Sequence, residues 1–119
     1  MNLDDVDRWI EGYVRAWTTN DTADIGALFT DDAEYRTEPW AEPWAGRDAI
    51  VAGWLDAKDD PGTWTFRSEP LALAGDTAFV RAWTDYTDGT PRRYHNLWVI
   101  RFSGDGRAAS FTEWFMKQR

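Results

Sequence analysis

Cysteine is missing from this chain altogether, and histidine occurs once, at His95. Without thiols there are no disulfides, no thiolate zinc sites and no cysteine nucleophile, and one imidazole cannot build a multi-histidine metal site. Positive charge is scarce as well: 13 Lys and Arg stand against 21 Asp and Glu, a formal net charge of −8. Such a surface repels a phosphate backbone or an anionic bilayer, so neither nucleic acid nor membrane is an expected partner. No apolar run approaches the roughly 20 residues of a membrane span, and the opening MNLDDVDRW is acidic where a secretory signal would be basic. The expectation is a soluble cytoplasmic protein. Few lysines beside many alanines, aspartates and arginines suggest a bacterial source.

Aromatic residues, by contrast, are abundant: nine Trp, six Phe and four Tyr make up 16% of 119 residues. That is more ring surface than the core of one domain of this length needs, so part of it is expected to line a cavity. The chain reads as a single domain over 1–119. Val6, Trp9, Ile10, Tyr13, Val14 and Trp17 recur at helical spacing, with Asn2 and Asp5 placed as a capping box, which predicts a helix over about 3–18. Asn20-Asp21-Thr22 recaps the chain for a short second helix ending near Thr30, followed by a strand from Ala33 to Thr37. Gly46-Arg47-Asp48 opens a third helix that closes at Asp59-Asp60-Pro61-Gly62. From Thr63 onward the period changes to two. Four strand-length segments, TWTFRSEPLALA, DTAFVRAWTDYT, PRRYHNLWVIRF and RAASFTEWFMKQ, are separated by short Gly- and Asp-containing turns, the pattern of an antiparallel meander. Helices first and hairpins after make an α+β protein, with the helices packed on one face of a curved sheet.

The stretch YVRAWTTNDTADIGALFTDDAEY, followed by Gly46-Arg47-Asp48-Ala49-Ile50 and the closing SGDGRAASFTEWF, resembles the nuclear transport factor 2-like superfamily and its SnoaL-like, ketosteroid isomerase-like members. The resemblance spans essentially the whole chain. It implies a cone-shaped α+β barrel, N-terminal helices on a strongly curved antiparallel sheet, with a deep pocket between the two, and frequent homodimers. It does not fix the chemistry, because the superfamily includes isomerases, hydrolases, dehydratases and binding proteins.

Strand parity nominates the residues that face this pocket. A tight turn at Asp88-Gly89-Thr90-Pro91 pairs Phe79 with Ile100, Arg81 with Trp98, Trp83 with Asn96 and Asp85 with Tyr94. A turn at Gly104-Asp105 pairs Asn96 with Glu113, Trp98 with Phe111 and Tyr94 with Phe115. One face then carries Phe79, Arg81, Trp83, Asp85, Tyr94, Asn96, Trp98, Ile100, Phe111, Glu113 and Phe115. It is the more aromatic face and the one expected inside. The other face carries Val80, Ala82, Thr84, His95, Leu97, Val99, Arg101, Thr112 and Trp114. It is too apolar to be left bare, and Val80, Ala82, Leu97, Val99 and Trp114 are the expected contacts of a homodimer. A one-residue slip in either turn inverts these faces, whereas a two-residue slip only changes partners.

Charged residues among rings are tolerated when paired or watered. Glu113 therefore has two readings: a structural ion pair with Arg81, or a desolvated carboxyl whose raised pKa suits it to acid/base work. The resemblance to ketosteroid isomerases places their oxyanion-stabilising tyrosine at Tyr13, in EGYVRAW. Their general-base aspartate falls at Thr37, beside Glu38, and their oxyanion-hole aspartic acid falls at Trp98, so Glu38 is the remaining candidate base. The Asp-Arg-Asp cluster of limonene epoxide hydrolases is matched in type by Arg81, Asp85 and Glu113, although Arg81 and Asp85 lie about 13 Å apart along a strand. Scytalone dehydratases need two pocket histidines, and parity sends His95 outward. Catalytic candidates are thus Glu113, Tyr13, Glu38, Arg81 and Asp85. Candidates for ligand contact are Trp17, Trp40, Trp44, Trp54, Trp83, Tyr94, Asn96, Trp98, Phe111 and Phe115.

No loop has carboxylates at the spacing of a calcium or magnesium site, and neither metal nor cofactor is expected. Asp31-Asp32 and Asp59-Asp60 read as turn and capping residues. The tandem EPWAEPWA at 38–45 is too short for a repeat array, and its prolines are out of register for a polyproline ligand. It is a stiff connector capping the core, a rim of the pocket, or a contact to a second subunit. Two functions remain open. One is an isomerase, cyclase or hydrolase acting by acid/base chemistry on a small hydrophobic cyclic molecule. The other is a non-catalytic binding or accessory protein. A cavity of about 300 Å³ or more with an unpaired Glu113 favours the first.

Overall fold

The computed structural model describes residues Met1–Arg119. Helix α1 spans Leu3–Thr19, α2 Thr22–Gly26 and α3 Arg47–Asp56; strands β1 to β6 span Phe29–Arg36, Trp44–Ala45, Trp64–Ala74, Thr77–Tyr86, Arg92–Phe102 and Ala108–Lys117. The α+β class is as the sequence predicts. Three helices pack on a curved six-stranded sheet of order β2-β1-β6-β5-β4-β3, which remains open rather than closing into a barrel. The pair β1–β6 is parallel and every other pair is antiparallel.

The capping box forms as read: Asn2 accepts from the Asp5 amide and Asp5 accepts from the Asn2 amide. The apolar stripe of α1 buries Val6, Trp9, Ile10, Tyr13 and Ala16. Trp9 meets Phe29, Phe102 and Phe111 of the sheet with ring centroids 5.6–6.1 Å apart. Asn20 ends the helix in the left-handed conformation, at φ 51° and ψ 30°, where asparagine is tolerated better than most residues. The second helix stops at Gly26, four residues short of Thr30, because Phe29 and Thr30 are drawn into β1.

Strand register corrects part of the face assignment. Between β4 and β5 the partners are Ala78 with Ile100, Val80 with Trp98, Ala82 with Asn96 and Thr84 with Tyr94. The turn is a five-residue loop, Thr87–Pro91, centred on Gly89 at φ 63°, and not the four-residue turn expected. The odd count slips the register by one and inverts β4. Val80, Ala82 and Thr84 point inward and are buried, while Phe79, Arg81, Trp83 and Asp85 face outward. Between β5 and β6 two shifts accumulate: one in the turn, where Phe102 pairs with Ala108, and one in a bulge beyond it, after which Arg101 pairs with Ser110. Their sum is even, so Glu113 faces inward as expected, opposite Trp98 instead of Asn96. The expected outer apolar face thus loses Val80 and Ala82 and keeps Leu97, Val99 and Trp114.

Candidate functional site

A cavity of about 430 Å³ opens between the concave side of the sheet and helices α1 and α3. Its aromatic walls are Trp17 from α1, Trp54 from α3, Trp44 from β2, Tyr94 and Trp98 from β5, and Phe115 from β6. Tryptophan 44 lies flat on Tyr35 at 4.9 Å and packs on Gly53 so closely that a Cβ there would sit 2.3 Å from its ring. Glycine is thus required at 53 for this wall to stand.

Polar groups from three adjacent strands meet on the floor. Thr84 Oγ1 on β4 donates to Asn96 Oδ1 on β5 over 2.9 Å, and Asn96 Nδ2 donates to Glu113 Oε1 on β6 over 2.9 Å. The chain fixes which way the asparagine amide points, since its oxygen is engaged by a hydroxyl and its nitrogen by a carboxyl. Glu113 Oε2 and the facing Trp98 Nε1 are buried and have no partner. No cation pairs with Glu113: Arg81 bonds Glu69 at 3.2 Å on the outer face instead. Burial pushes the Glu113 carboxyl up to about 8 against the opposing pull of the Asn96 amide and of the facing Trp98 N–H, which lies near it without completing a hydrogen bond. At neutral pH it is mostly the neutral acid, with an O–H available to the cavity.

Beside it, the Tyr13 and Tyr35 hydroxyls lie 2.7 Å apart. Burial raises both phenols, with the Glu113 charge adding to it, so both remain neutral donors. One O–H is spent within the pair, which leaves the other free to donate. The mouth is formed by Lys58, Asp59, Tyr86 and Arg92. There Asp59 Oδ2 accepts from Trp17 Nε1 at 3.0 Å and from Tyr86 Oη at 3.1 Å.

Nine of the fifteen sequence candidates line this cavity: Tyr13, Trp17, Trp44, Trp54, Tyr94, Asn96, Trp98, Glu113 and Phe115. Phe111 is fully buried one layer behind, stacked on Tyr35 at 4.5 Å. Five lie elsewhere. Arg81, Trp83 and Asp85 follow the inverted strand outward, where Arg67 sits 3.9 Å over the Trp83 ring and Asp85 pairs with Arg93 at 2.6 Å. Trp40 is 81% exposed, and Glu38 is half-buried in the bend before it, off the cavity lining. Sequence reasoning missed Tyr35, Thr84, Tyr86 and Asp59. Correct parity in β4 would have found Thr84 and Tyr86, and alternation from Ala33 would have found Tyr35. For Asp59 no local signal distinguished a pocket residue from a turn former.

A family model described as a SnoaL-like domain matches residues 10–111. Among solved structures, a ketosteroid isomerase-like protein from Erwinia carotovora atroseptica is 22% identical, with 92% of each chain covered and a TM-score of 0.67. An NTF-2 like protein from Burkholderia xenovorans is 16% identical, with 100% of this chain and 88% of that one covered and a TM-score of 0.76. An LEH-like epoxide hydrolase from M. tuberculosis is 15% identical, with 95% and 84% covered and a TM-score of 0.70. No curated protein matches the chain in sequence. At these identities the solved structures speak for the fold.

Proposed function

The chain belongs to the SnoaL-like domain family, and on that premise we propose that it is a cytoplasmic enzyme acting by acid/base chemistry on a small, mainly apolar cyclic molecule. The observation that carries this reading is Glu113: a buried carboxyl in a cavity, with Oε2 unpartnered and no cation beside it. A structural glutamate would be paired, and here the paired reading has lost its arginine to Glu69. The cavity volume of about 430 Å³ suits a ligand of about two fused rings, toward the lower end of the roughly 300–1,000 Å³ of ligand sites.

The chemistry follows from the donors. A carbonyl or epoxide oxygen at the floor accepts the Glu113 proton as the adjacent bond reorganises, with a phenol of the Tyr13–Tyr35 pair as second donor. The carboxylate left behind keeps the Asn96 hydrogen bond and recovers a proton from the neighbouring carbon, in an isomerisation, or from water, in a hydrolysis. Deuterium exchange next to the carbonyl of tetralone, a bicyclic ketone, reads this step by NMR. We expect wild-type protein to catalyse the exchange and Glu113→Gln to slow it by about 100-fold or more, with ketone affinity kept within about threefold. Binding without exchange in the wild type favours the non-catalytic binding protein.

We also propose a homodimer through the outer sheet face, where Leu97, Trp114 and Met116 are 38%, 42% and 74% exposed. Sedimentation at micromolar concentration is expected to show it, and a monomer there contradicts it.

A further inference from the structure

The acid/base reading leaves one cavity group without a role. Asp59 follows α3 in a segment that reads as a helix-closing turn, yet its side chain reaches the cavity mouth. Its place is fixed from three directions. Trp17 of α1 and Tyr86 of β4 both donate to Oδ2, and Asn20, the left-handed cap of α1, donates to the Asp59 backbone oxygen over 3.2 Å. The two side-chain donors are neutral. The nearby Arg92 bonds Asp88 and the Thr90 carbonyl, and no cation pairs with Asp59. Oδ1 is therefore an acceptor on a rigidly held side chain that no protein group uses.

The polarity of the cavity is thus split. Its floor offers hydrogen-bond donors, from Glu113 and the tyrosine pair, and its mouth, where Lys58 and Arg92 also stand, offers one fixed acceptor in Asp59 Oδ1, with rings between the two ends. We propose that Asp59 is a ligand-contacting specificity residue, whose free carboxylate oxygen accepts a hydrogen bond from a hydroxyl at the outer end of the ligand. The substrate class is then a hydroxylated cyclic compound with an acceptor oxygen at the opposite end. A ligand that covers Oδ1 without offering it a hydroxyl displaces the water this half-buried side chain meets and gives no partner back, and this is what sets the discrimination.

The proposal rests on the floor reading above, and calorimetry with four bicyclic probes at pH 6 separates the two. Tetralin against tetralone reports the floor, whereas the 6-hydroxy and 6-methoxy derivatives of tetralone report the mouth. We expect the hydroxy ketone to bind wild-type protein about tenfold more tightly than either tetralone or the methoxy ketone. In Asp59→Asn the amide oxygen remains for Trp17 and Tyr86 and an NH2 group replaces the free acceptor. The hydroxyl preference, read as the ratio of hydroxy to methoxy ketone affinity in the same variant, should fall below about twofold. A hydroxy ketone no better than the methoxy ketone in the wild type overturns the proposal without any variant. So does a preference that survives in a folded Asp59→Asn. If tetralin binds as well as tetralone but the hydroxyl preference holds, the floor reading fails and Asp59 stands. If none of the four binds, both fall together.

Discussion

Replacing Glu113 by glutamine should remove the part of the protein's pH-dependent stability that this one carboxyl carries. In the folded chain this carboxyl titrates at about 8, against 4.5 for the free side chain. Between those values the folded state holds a proton that the unfolded state has released. The stability linked to this group is therefore whole below 4.5 and is lost as pH rises through about 8. At about 1.36 kcal/mol per unit, raising the pH from 5 to 9 removes about 4 kcal/mol. That is a large share of the roughly 5–15 kcal/mol by which single domains are stable.

Glutamine has the shape of the neutral acid, can accept from Asn96 through its own Oε1, and does not ionise. The stability of Glu113→Gln minus that of the parent should thus move by about 4 kcal/mol in the variant's favour between pH 5 and pH 9, starting within about 1 kcal/mol of zero. Urea unfolding followed by tryptophan fluorescence at constant ionic strength measures it, and equal m-values show that both chains expose the same surface. Every other titrating group is common to the two proteins and cancels in the difference. A difference that stays flat across the range would falsify the buried, unpaired carboxyl, and the acid role would go with it.

Three further outcomes follow from the same geometry. Tyr35→Phe removes one member of the 2.7 Å hydroxyl pair and leaves a buried Tyr13 hydroxyl short of a partner; urea unfolding should show a loss of about 1–3 kcal/mol. Gly53→Ala places a methyl 2.3 Å from the Trp44 ring; about 1–3 kcal/mol of stability should be lost and the Trp44 wall displaced, visible as weakened tetralone binding by calorimetry. Arg81→Ala and Asp85→Asn sit on the outer face, in exposed pairs with Glu69 and Arg93. Tetralone affinity and exchange rate should both stay within about twofold, and a larger loss in either variant would reinstate the epoxide hydrolase-like cluster.

Apart from the two-residue edge strand Trp44–Ala45, hidden in the Pro/Trp connector, the sequence carried the element order because each element is locally consistent. The capping box, the apolar stripe of α1 and the change of period at Thr63 all agree with the fold. What it could not carry was the number of residues in a turn. In an alternating strand one residue decides which face every side chain takes, and nothing in DYTDGTPRRY distinguishes a four-residue turn from the five-residue loop centred on Gly89. Arg81, Trp83 and Asp85 were misplaced together for that single reason. Glu113 was placed correctly although its partner was not, since the turn and the bulge preceding it each shift by one and restore the parity. Tyr13 needed no such cancellation, because its face is set by the helical period of its own segment. Asp59 marks a different limit. Its role depends on Trp17 and Tyr86, 42 and 27 residues away, and no local pattern encodes a meeting at that distance.

The duplicated EPWA shows how little a tetrapeptide determines once the sheet is in place. Trp44 pairs with Tyr35 at the sheet edge, lies flat on its ring, and is seated by the missing side chain of Gly53. Trp40 has the same four-letter context and neither of those two neighbours, and it remains 81% exposed. The first copy is therefore not a redundant second wall. Two prolines, each fixing its own φ, stiffen a link between β1 and α3 whose inner tryptophan is built into the cavity and whose outer one is not. Glu38 shares that outer position, in the bend after β1, so it does not take up the base role its neighbourhood to Thr37 suggested. The carboxyls that do line the cavity are Glu113 and Asp59, one at the floor and one at the mouth. The chemistry of the site must be sought between those two ends.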